Sequence, residues 1–284
     1  MEYKNNMMKI KPNCKKTKSC EECGKCKIKQ EKNKESKKTE GVDIEKFRTK
    51  CKKKLRFLES FDPDPNQLIK MVEPIALSIN SDADDETYNR IFEHPRRMMY
   101  HANEILKLMN VLNKEELLQL KICIVFHDIG KVVKFKKYNA DMKRDHHIFS
   151  AIITETAMEY MHFDRKFIDK VYWIINNHND KDMSMEECLE APIAYRLLLD
   201  LDKIDENDLY GMILKSIVRG SERKVKRNNM INQKDLLQWI KEFNNDKDYD
   251  RLLYEGSKIY YTAMKEKIYQ VIDMLNFTID DNIF

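Results

Sequence analysis

The stretch Val125-Phe126-His127-Asp128-Ile129-Gly130-Lys131 places an imidazole and a carboxylate side by side at the end of an apolar run. Residues 122–126 are all apolar, which indicates a buried helix segment. Gly130 is predicted to end that helix, because glycine is common just past a helix end. A buried His-Asp pair is costly unless something pairs with both groups, and a divalent metal would do so. The pair therefore predicts further metal ligands elsewhere in the chain.

The composition favours an all-α fold. The chain has 284 residues, enough for one large domain or two small ones. It has 6 Gly and 6 Pro, fewer than the tight turns of an all-β fold would need. The periodic stretches consist mainly of Lys, Glu, Met, Leu and Ile, which are good to moderate helix formers.

The N-terminal region differs from the rest of the chain. Residues 1–41 hold 13 Lys, no Arg and 6 Glu, a balance of +7, so the remainder carries −3 of the total charge of +4. This composition predicts a flexible basic tail that could touch nucleic acid. Cys14, Cys20, Cys23 and Cys26 follow the spacing C-x5-C-x2-C-x2-C. These thiolates could bind zinc or an iron–sulfur cluster, or they are incidental thiols of a flexible tail.

The sequence predicts a cytoplasmic protein. No window approaches the roughly 20 apolar residues of a membrane span, and the N-terminus has no apolar signal region. The seven Cys form no obvious disulfide framework, so reduced thiols are expected.

Proline and aspartate predict several helix boundaries. A helix should follow the turn Asp62-Pro63-Asp64-Pro65, with a kink or break at Pro74. A kink or a restart is expected at His94, since Pro95 suits the first turn of a helix better than its interior. Asp145 is expected to start the helix that carries the next histidines.

Polar residues that interrupt apolar helices form the candidate site. They are His94, His127, Asp128, His146 or His147, His178, and Asp200 or Asp202. The chain contains 7 His, so several of them on different core helices need an explanation. Each could be a core histidine with its own partner. Convergent imidazoles and carboxylates, however, are the ligands that borderline transition metals prefer, and bundle cores commonly hold such sites.

The order and spacing of these residues resemble the HD-domain metal-dependent phosphohydrolase superfamily over roughly residues 88–210. The central motif is identical to the HDIG form of that superfamily. Three further segments resemble its H-x-x-R, D-H-x-x-x-S-A and A-D-K-I-D elements, namely His94–Met98, Asp145–Ala151 and Leu201–Asp205. The resemblance implies an HD-domain helical bundle at 43–211, between a basic Cys-containing tail at 1–42 and a helical extension at 212–284.

The resemblance also implies a ligand set. It selects His146 over His147, and Asp202 over Asp200. The first metal would be held by His94, His127, Asp128 and Asp202. The second would be held by His146 and His178, bridged through Asp128. Two divalent ions are expected, drawn from manganese, iron, cobalt, nickel and zinc.

The implied chemistry is hydrolysis of a phosphoester, a phosphomonoester or phosphodiester of a nucleotide or related small molecule. Paired ions lower the pKa of a bound water and orient it for attack on phosphorus. Asp128 and Lys131 are the predicted catalytic residues, and Lys131 could hold a phosphate oxygen as a point charge. Basic residues after the motif would favour an anionic substrate, or they are simply a solvated loop, namely Lys134, Lys136, Lys137, Lys143 and Arg144.

Two departures restrict the substrate. The sequence Asn177-His178-Asn179 lacks the His-His pair of the GYP subgroup, and the G-Y-P tripeptide is absent, so cyclic-di-GMP hydrolysis is not supported. The H-D-x-x-E-D form of alarmone hydrolases is not present either. Two other functions remain open, a diiron oxygenase of the myo-inositol oxygenase type and a metal- or nucleotide-binding sensor module without turnover. The C-terminal extension could cover the site or mediate oligomerisation.

Overall fold

A computed structural model describes most of the chain, and its described residues contain α-helices and 3-10 helices without a strand. The predicted all-α class is therefore confirmed. The chain divides into two units, Met1–Val42 and Asp43–Phe284. The four tail cysteines, and the metal site predicted on them, lie outside the described residues. The residues that the structure describes are 41–61, 64–82, 84–109, 112–179, 183–213, 233–243 and 248–280.

The helices of the second unit are numbered in chain order. The α-helices are α1 Ile44–Leu55, α2 Pro65–Lys70, α3 Val72–Ile79, α4 Asp85–Leu108, α5 Lys114–Phe126, α6 Met142–Tyr160, α7 Arg165–Asn177, α8 Met185–Glu190, α9 Ile193–Asn207, α10 Gln233–Phe243 and α11 Glu255–Asp280. The 3-10 helices are Arg56–Ser60, Ile129–Val132, Phe135–Tyr138 and Tyr249–Arg251.

Helix α6 lies at the centre of the bundle. Its residues from Ile148 to Met158 are buried without interruption, as expected of a helix that is covered on all sides. It packs against α7, α1 and the 3-10 turn Ile129–Val132. Helix α5 packs against α4, α7 and α9, so the end of α5 is enclosed by the helices that carry the other candidate ligands.

Helix α5 begins at a local capping motif and ends at the His-Asp pair. Asn113 caps it through a capping box with Glu116, in which each side chain bonds the other residue's backbone N–H. The helix ends at Phe126, and His127 is its C-cap. The apolar run before His127 is almost entirely buried, so the His-Asp pair follows within the core rather than on the surface.

Gly130 does not have the predicted role of a helix-ending glycine. It lies within the 3-10 turn Ile129–Val132, and its φ is not positive. Its N–H donates to Ser150 Oγ at 2.8 Å. A Cβ atom there would lie 2.2 Å from the carbonyl oxygen of His146 and 2.6 Å from the backbone nitrogen of Ser150. The glycine is needed because the backbone of α6 approaches so closely.

The structure places the helix break elsewhere than at Pro74 and excludes a restart at His94, while the alternative of a kink at His94 stays a prediction. The helix break lies at Met71, and Pro74 sits in the first turn of α3, where a missing N–H costs little. At His94 no restart occurs, because α4 continues through Pro95 from Asp85 to Leu108. An interior proline costs about 3 kcal/mol, which the packing of a 24-residue helix can offset.

Helix α6 begins earlier than predicted. Its first residue is Met142, and its N-cap is Asp141, whose carboxylate accepts from the backbone N–H groups of Lys143 and Arg144. Asp145 is therefore in the first turn rather than at the start, and its carboxylate accepts from the backbone N–H of Asp141 at 2.7 Å. Two aspartates at this terminus are each a plausible cap, and local sequence does not decide between them.

The C-terminal helices pack on the same bundle. Helix α11 contacts α4, α9 and α10. The buried Asp200 of α9 accepts hydrogen bonds from the backbone N–H groups of Leu253 and Tyr254, at 2.8 and 2.9 Å. The boundaries proposed at residues 42 and 211 remain predictions. No described helix is both long enough and apolar enough to cross a lipid bilayer.

Candidate metal centre

Three imidazoles surround Asp128, and the backbone holds each ring in one orientation. In each case Nδ1 lies within hydrogen-bond distance of a carbonyl oxygen three or four residues earlier. The pairs are His127 with Ile124 at 2.9 Å, His146 with Met142 at 2.9 Å, and His178 with Ile175 at 2.7 Å. A carbonyl can only accept, so Nδ1 carries the proton and Nε2 keeps its lone pair. This is the tautomer that binds a metal through Nε2.

The carboxylate of Asp128 lies between these imidazoles. Its Oδ1 is 3.3 Å from His146 Nε2 and 4.0 Å from His178 Nε2. Its Oδ2 is 3.6 Å from His127 Nε2 and pairs with the ammonium of Lys131. The two oxygens thus face different sets of ligand atoms, so one carboxylate can serve two neighbouring cation positions.

The ligand atoms fall into two groups that share Asp128. One group contains His94, His127 and Asp128, and the other contains Asp128, His146 and His178. Within each group the ligand atoms lie within 4.8 Å of one another. The structure therefore brings together five of the six predicted metal ligands in two overlapping groups.

Asp202 joins the site through His94. Its Oδ1 lies 3.1 Å from His94 Nε2, whereas Asp200 faces the loop before α11. The geometry favours Asp202 over Asp200 for this reason. His147 is half-buried and adjoins the site, with its ring centroid 5.8 Å from that of His146 and 6.2 Å from that of His178. The assignment of individual ligands remains a prediction.

The other ring nitrogen of His94 is held by Asp205. His94 Nδ1 lies 2.7 Å from Asp205 Oδ2. Arg97 donates to both oxygens of the same carboxylate, each at 2.8 Å. Arg97 and Asp205 were not among the predicted site residues. The signal was present, because Arg97 is the arginine of the H-x-x-R element and Asp205 is the last residue of the D-K-I-D element.

The protonation states at Asp128 suit a cation. Burial lowers the pKa of His127, and burial also lowers the pKa of His178 to about 3. Burial opposes ionisation of Asp128, but His127 and the Lys131 ammonium hold its pKa well below the usual range. Neutral imidazoles beside an ionised carboxylate are the states in which these groups bind metal.

His94 is in a different state. Burial disfavours its charged form, yet the hydrogen bonds to Asp202 and Asp205 raise its pKa to about 10. The same contacts lower the pKa of both carboxylates, against the effect of burial. Metal binding at His94 Nε2 would therefore have to release a proton.

The buried Nε2 atom of His127 indicates whether a metal fits this site. Its Nε2 is buried and has no hydrogen-bond partner among the residues that the structure describes. A buried polar atom without a partner costs about 1–3 kcal/mol. This atom faces Asp128 and, as a neutral imidazole nitrogen, can only accept a proton or bind a cation. The donor set fits a divalent transition metal.

A third group of possible ligands has partners without a metal. His101 follows His94 on α4 by about two helical turns. Its Nδ1 lies 2.9 Å from Tyr260 Oη, and its Nε2 lies 3.3 Å from Asp208 Oδ2. Asp205 completes the group, but the guanidinium of Arg97 already occupies its carboxylate. The Arg97 cation takes the place that a metal would fill. We therefore interpret the group of His101, Asp205 and Asp208 as part of the packing between α4, α9 and α11.

The basic residues after the motif do not form one array. Lys131 contacts Asp128, whereas Arg144 pairs with Asp145. Lys134 pairs with Asp82, at 2.7 Å. Lys134 and Lys137 line a cavity with α1 whose lining shares no residue with the two ligand groups. That these residues favour an anionic substrate therefore stays a prediction.

Residues 91–215 match the family model described as HD domain. The matched range begins three residues before His94 and ends beyond Asp205, so it contains every residue of the two ligand groups. No curated protein and no solved structure matches the chain.

Proposed function

We propose that the chain hydrolyses a phosphoester at this centre, because residues 91–215 match the HD-domain model and that superfamily consists mostly of metal-dependent phosphohydrolases. The substrate we propose is a phosphomonoester or phosphodiester of a nucleotide or a related small molecule. The family match supports a metal-dependent hydrolase, and the bond that is cleaved is our inference.

The observation that carries the proposal is the shared position of Asp128. Its two oxygens face different imidazoles, and each of the two ligand groups contains two histidines besides Asp128. Two divalent cations bound side by side would lower the pKa of a coordinated water and neutralise charge on the phosphoryl oxygens. The number of ions is part of the proposal.

The protein's own residues hold this arrangement in place before substrate arrives. The carbonyls of Ile124, Met142 and Ile175 fix the three rings around Asp128. Asp205 fixes the ring of His94 and is itself held by Arg97. Such outer contacts keep the ligand atoms in position, so little rearrangement is needed when a cation binds.

Lys131 is the proposed contact to substrate. It follows the ligands directly, on the 3-10 turn Ile129–Val132, and its ammonium contacts Asp128 Oδ2. With Asp128 engaged by metal, this ammonium would be available to a phosphoryl oxygen as a point charge. Lys131 would then bind substrate and stabilise the charge that develops on it.

Metal analysis of the full chain, combined with a generic substrate assay, tests the proposal. The purified protein is analysed for transition metals and assayed with para-nitrophenyl phosphate and bis(para-nitrophenyl) phosphate. Asp128→Ala is expected to lose both metal equivalents and turnover while its circular dichroism spectrum stays helical. Glu155→Gln is the control, since Glu155 is also buried but pairs with Arg48 and Arg165.

The outcomes separate the alternatives. Normal turnover by Asp128→Ala would contradict the metal assignment. Iron-dependent oxygen uptake without phosphate release would favour the diiron oxygenase instead. Bound metal without either activity would favour a sensor module.

A further inference from the structure

A second concave feature lies apart from the ligand groups. It is a cavity of about 130 Å³ between α1, the segment after α3 and the loop at 133–138. Four lysines line it, Lys50 and Lys54 from α1 and Lys134 and Lys137 from the loop. We refer to it as the lysine cavity.

The lysine cavity carries more positive than negative charge. The carboxylate in its lining is Asp82, which pairs with Lys134 at 2.7 Å. Lys54 donates to the carbonyl oxygens of Ser78 and Ile79 at the end of α3, the latter at 3.0 Å. Lys50 and Lys137 have no carboxylate partner in the part of the chain that the structure describes. Two lysines therefore line the cavity without an ion-pair partner among the described residues, although Asp82 lies close enough to Lys137 for its carboxylate to feel that charge.

The four lysines act on one another. Burial lowers the pKa of Lys54, and Lys50, Lys134 and Lys137 lower it further by repulsion. Among the residues that the structure describes, Asp82 is the acidic residue in the lining of this cluster. Unrelieved repulsion of this kind is removed by a bound anion.

The size of the cavity restricts the ligand. Pockets that enclose drug-sized molecules measure roughly 300–1,000 Å³, so 130 Å³ suits a compact group. Lysine ammoniums are compact charges that bind phosphate oxygens. Ser81 and Asn80 add polar groups at the rim. We propose that the lysine cavity binds a phosphate or diphosphate group, either free or carried by a nucleotide, at a site separate from the metal centre.

The cavity is connected to the metal-binding turn. Asn80, which lines the cavity, donates from Nδ2 to the carbonyl oxygen of Val132 at 2.9 Å. Val133 also lines the cavity, and its N–H donates to the carbonyl oxygen of Gly130 at 3.0 Å. A bound anion would therefore hold the loop that follows Lys131, whether or not the metal centre is a hydrolase.

Isothermal titration of the full chain with sodium diphosphate tests the proposal at low ionic strength. Lys50→Gln/Lys137→Gln removes the two ammoniums that have no carboxylate partner within 4 Å among the described residues, one of which, Lys50, lies over the ring of Tyr138. Lys52→Gln/Lys136→Gln is the matched control, because it makes the same charge change on the same two elements with exposed residues outside the lining. We expect the first pair to weaken diphosphate binding at least tenfold, and the control pair to change it less than twofold.

Parallel titrations with orthophosphate and with ADP distinguish the sources of the group. Equal affinity for diphosphate and ADP would identify the free anion. Tighter binding of ADP, lost in the Lys50/Lys137 variant, would show that a nucleotide carries it. Equal binding of diphosphate by all three proteins would place the anion elsewhere, for instance on bound metals, and would overturn the proposal. Absence of any binding would overturn it as well.

Thermal melting guards against a folding artefact. Without phosphate, the Lys50/Lys137 variant is expected to melt at or above the temperature of the wild type, because repulsion has been relieved. Added phosphate should raise the melting temperature of the wild type and of the control pair, since a ligand of the folded state stabilises it. A variant that melts lower and still responds to phosphate would contradict the site.

Discussion

His94 and Asp205 are joined by a contact of 2.7 Å between Nδ1 and Oδ2, and this contact aims the opposite side of the ring, Nε2, at Asp202. The Asp205 carboxylate is almost fully buried and also receives two hydrogen bonds from Arg97. Asp205 is therefore a positioning residue, one step outside the ligands. It links the α4 side of the metal centre to α9.

Asp205→Asn should weaken metal binding at the His94 group. The amide offers one acceptor oxygen and no charge, so it cannot serve Arg97 and His94 as the carboxylate does. Loss of such an outer partner typically lowers metal affinity about 10–100-fold. Competition with a chromogenic chelator measures this. Asp208→Asn is the control, because Asp208 contacts His101 rather than His94. An equal loss in both variants would contradict the positioning role.

Asp202→Asn and Asp200→Asn should separate a ligand from a structural carboxylate. The two carboxylates are two positions apart on α9, and Asp202 faces His94 whereas Asp200 accepts two backbone N–H groups. We expect Asp202→Asn to lower the bound metal with little change in stability. Asp200→Asn should keep the metal and lose about 1–3 kcal/mol in the free energy of unfolding. Elemental analysis and urea unfolding give the two readouts, and the opposite pattern would reverse the assignment.

Gly130→Ala should destabilise the fold by about 3 kcal/mol. The new Cβ would meet backbone atoms of α6 at 2.2 and 2.6 Å, and a backbone cannot move aside as a side chain can. Gly256→Ala is the control, since its Cβ would meet the side chain of Tyr254 at 2.6 Å. Urea unfolding measures both variants. A loss at Gly130 no larger than that at Gly256 would show that α6 can retreat.

Cys51 should make stability fall at alkaline pH. Burial raises the pKa of its thiol from 9.0 to about 12. The folded state then holds the proton more tightly than the unfolded chain. The contribution of Cys51 is complete below about pH 9 and is lost as the pH rises from 9 towards 12.

Urea unfolding of wild type and Cys51→Ala at pH 8 and pH 10 measures this contribution. The difference in free energy of unfolding between the two proteins should shrink by about 1 kcal/mol at the higher pH. A difference that is independent of pH would mean that the thiol titrates normally in the folded protein.

The all-α class and the resemblance to HD domains were predicted from the sequence and are confirmed. The cap at Asn113 was also predictable, because a capping box depends on residues three apart. The start of α6 was not, since Asp141 and Asp145 are both suitable caps and the choice depends on how the preceding loop packs. The break before α3 was misplaced because a proline is tolerated in a first turn.

For the candidate site, too, some features were determined by the sequence and others by the tertiary structure. The sequence by itself determined which residue types could bind metal, since that depends on side-chain chemistry and on motifs of a few residues. The tertiary structure decided which of them meet. Asp200 and Asp202 are two positions apart, roughly 200° around a helix axis, so they face different neighbours. Which neighbour lies on which face is set by the packing of α9 against α4, α5 and α11. The same packing brought Asp205 to His94 and closed the backbone of α6 over Gly130.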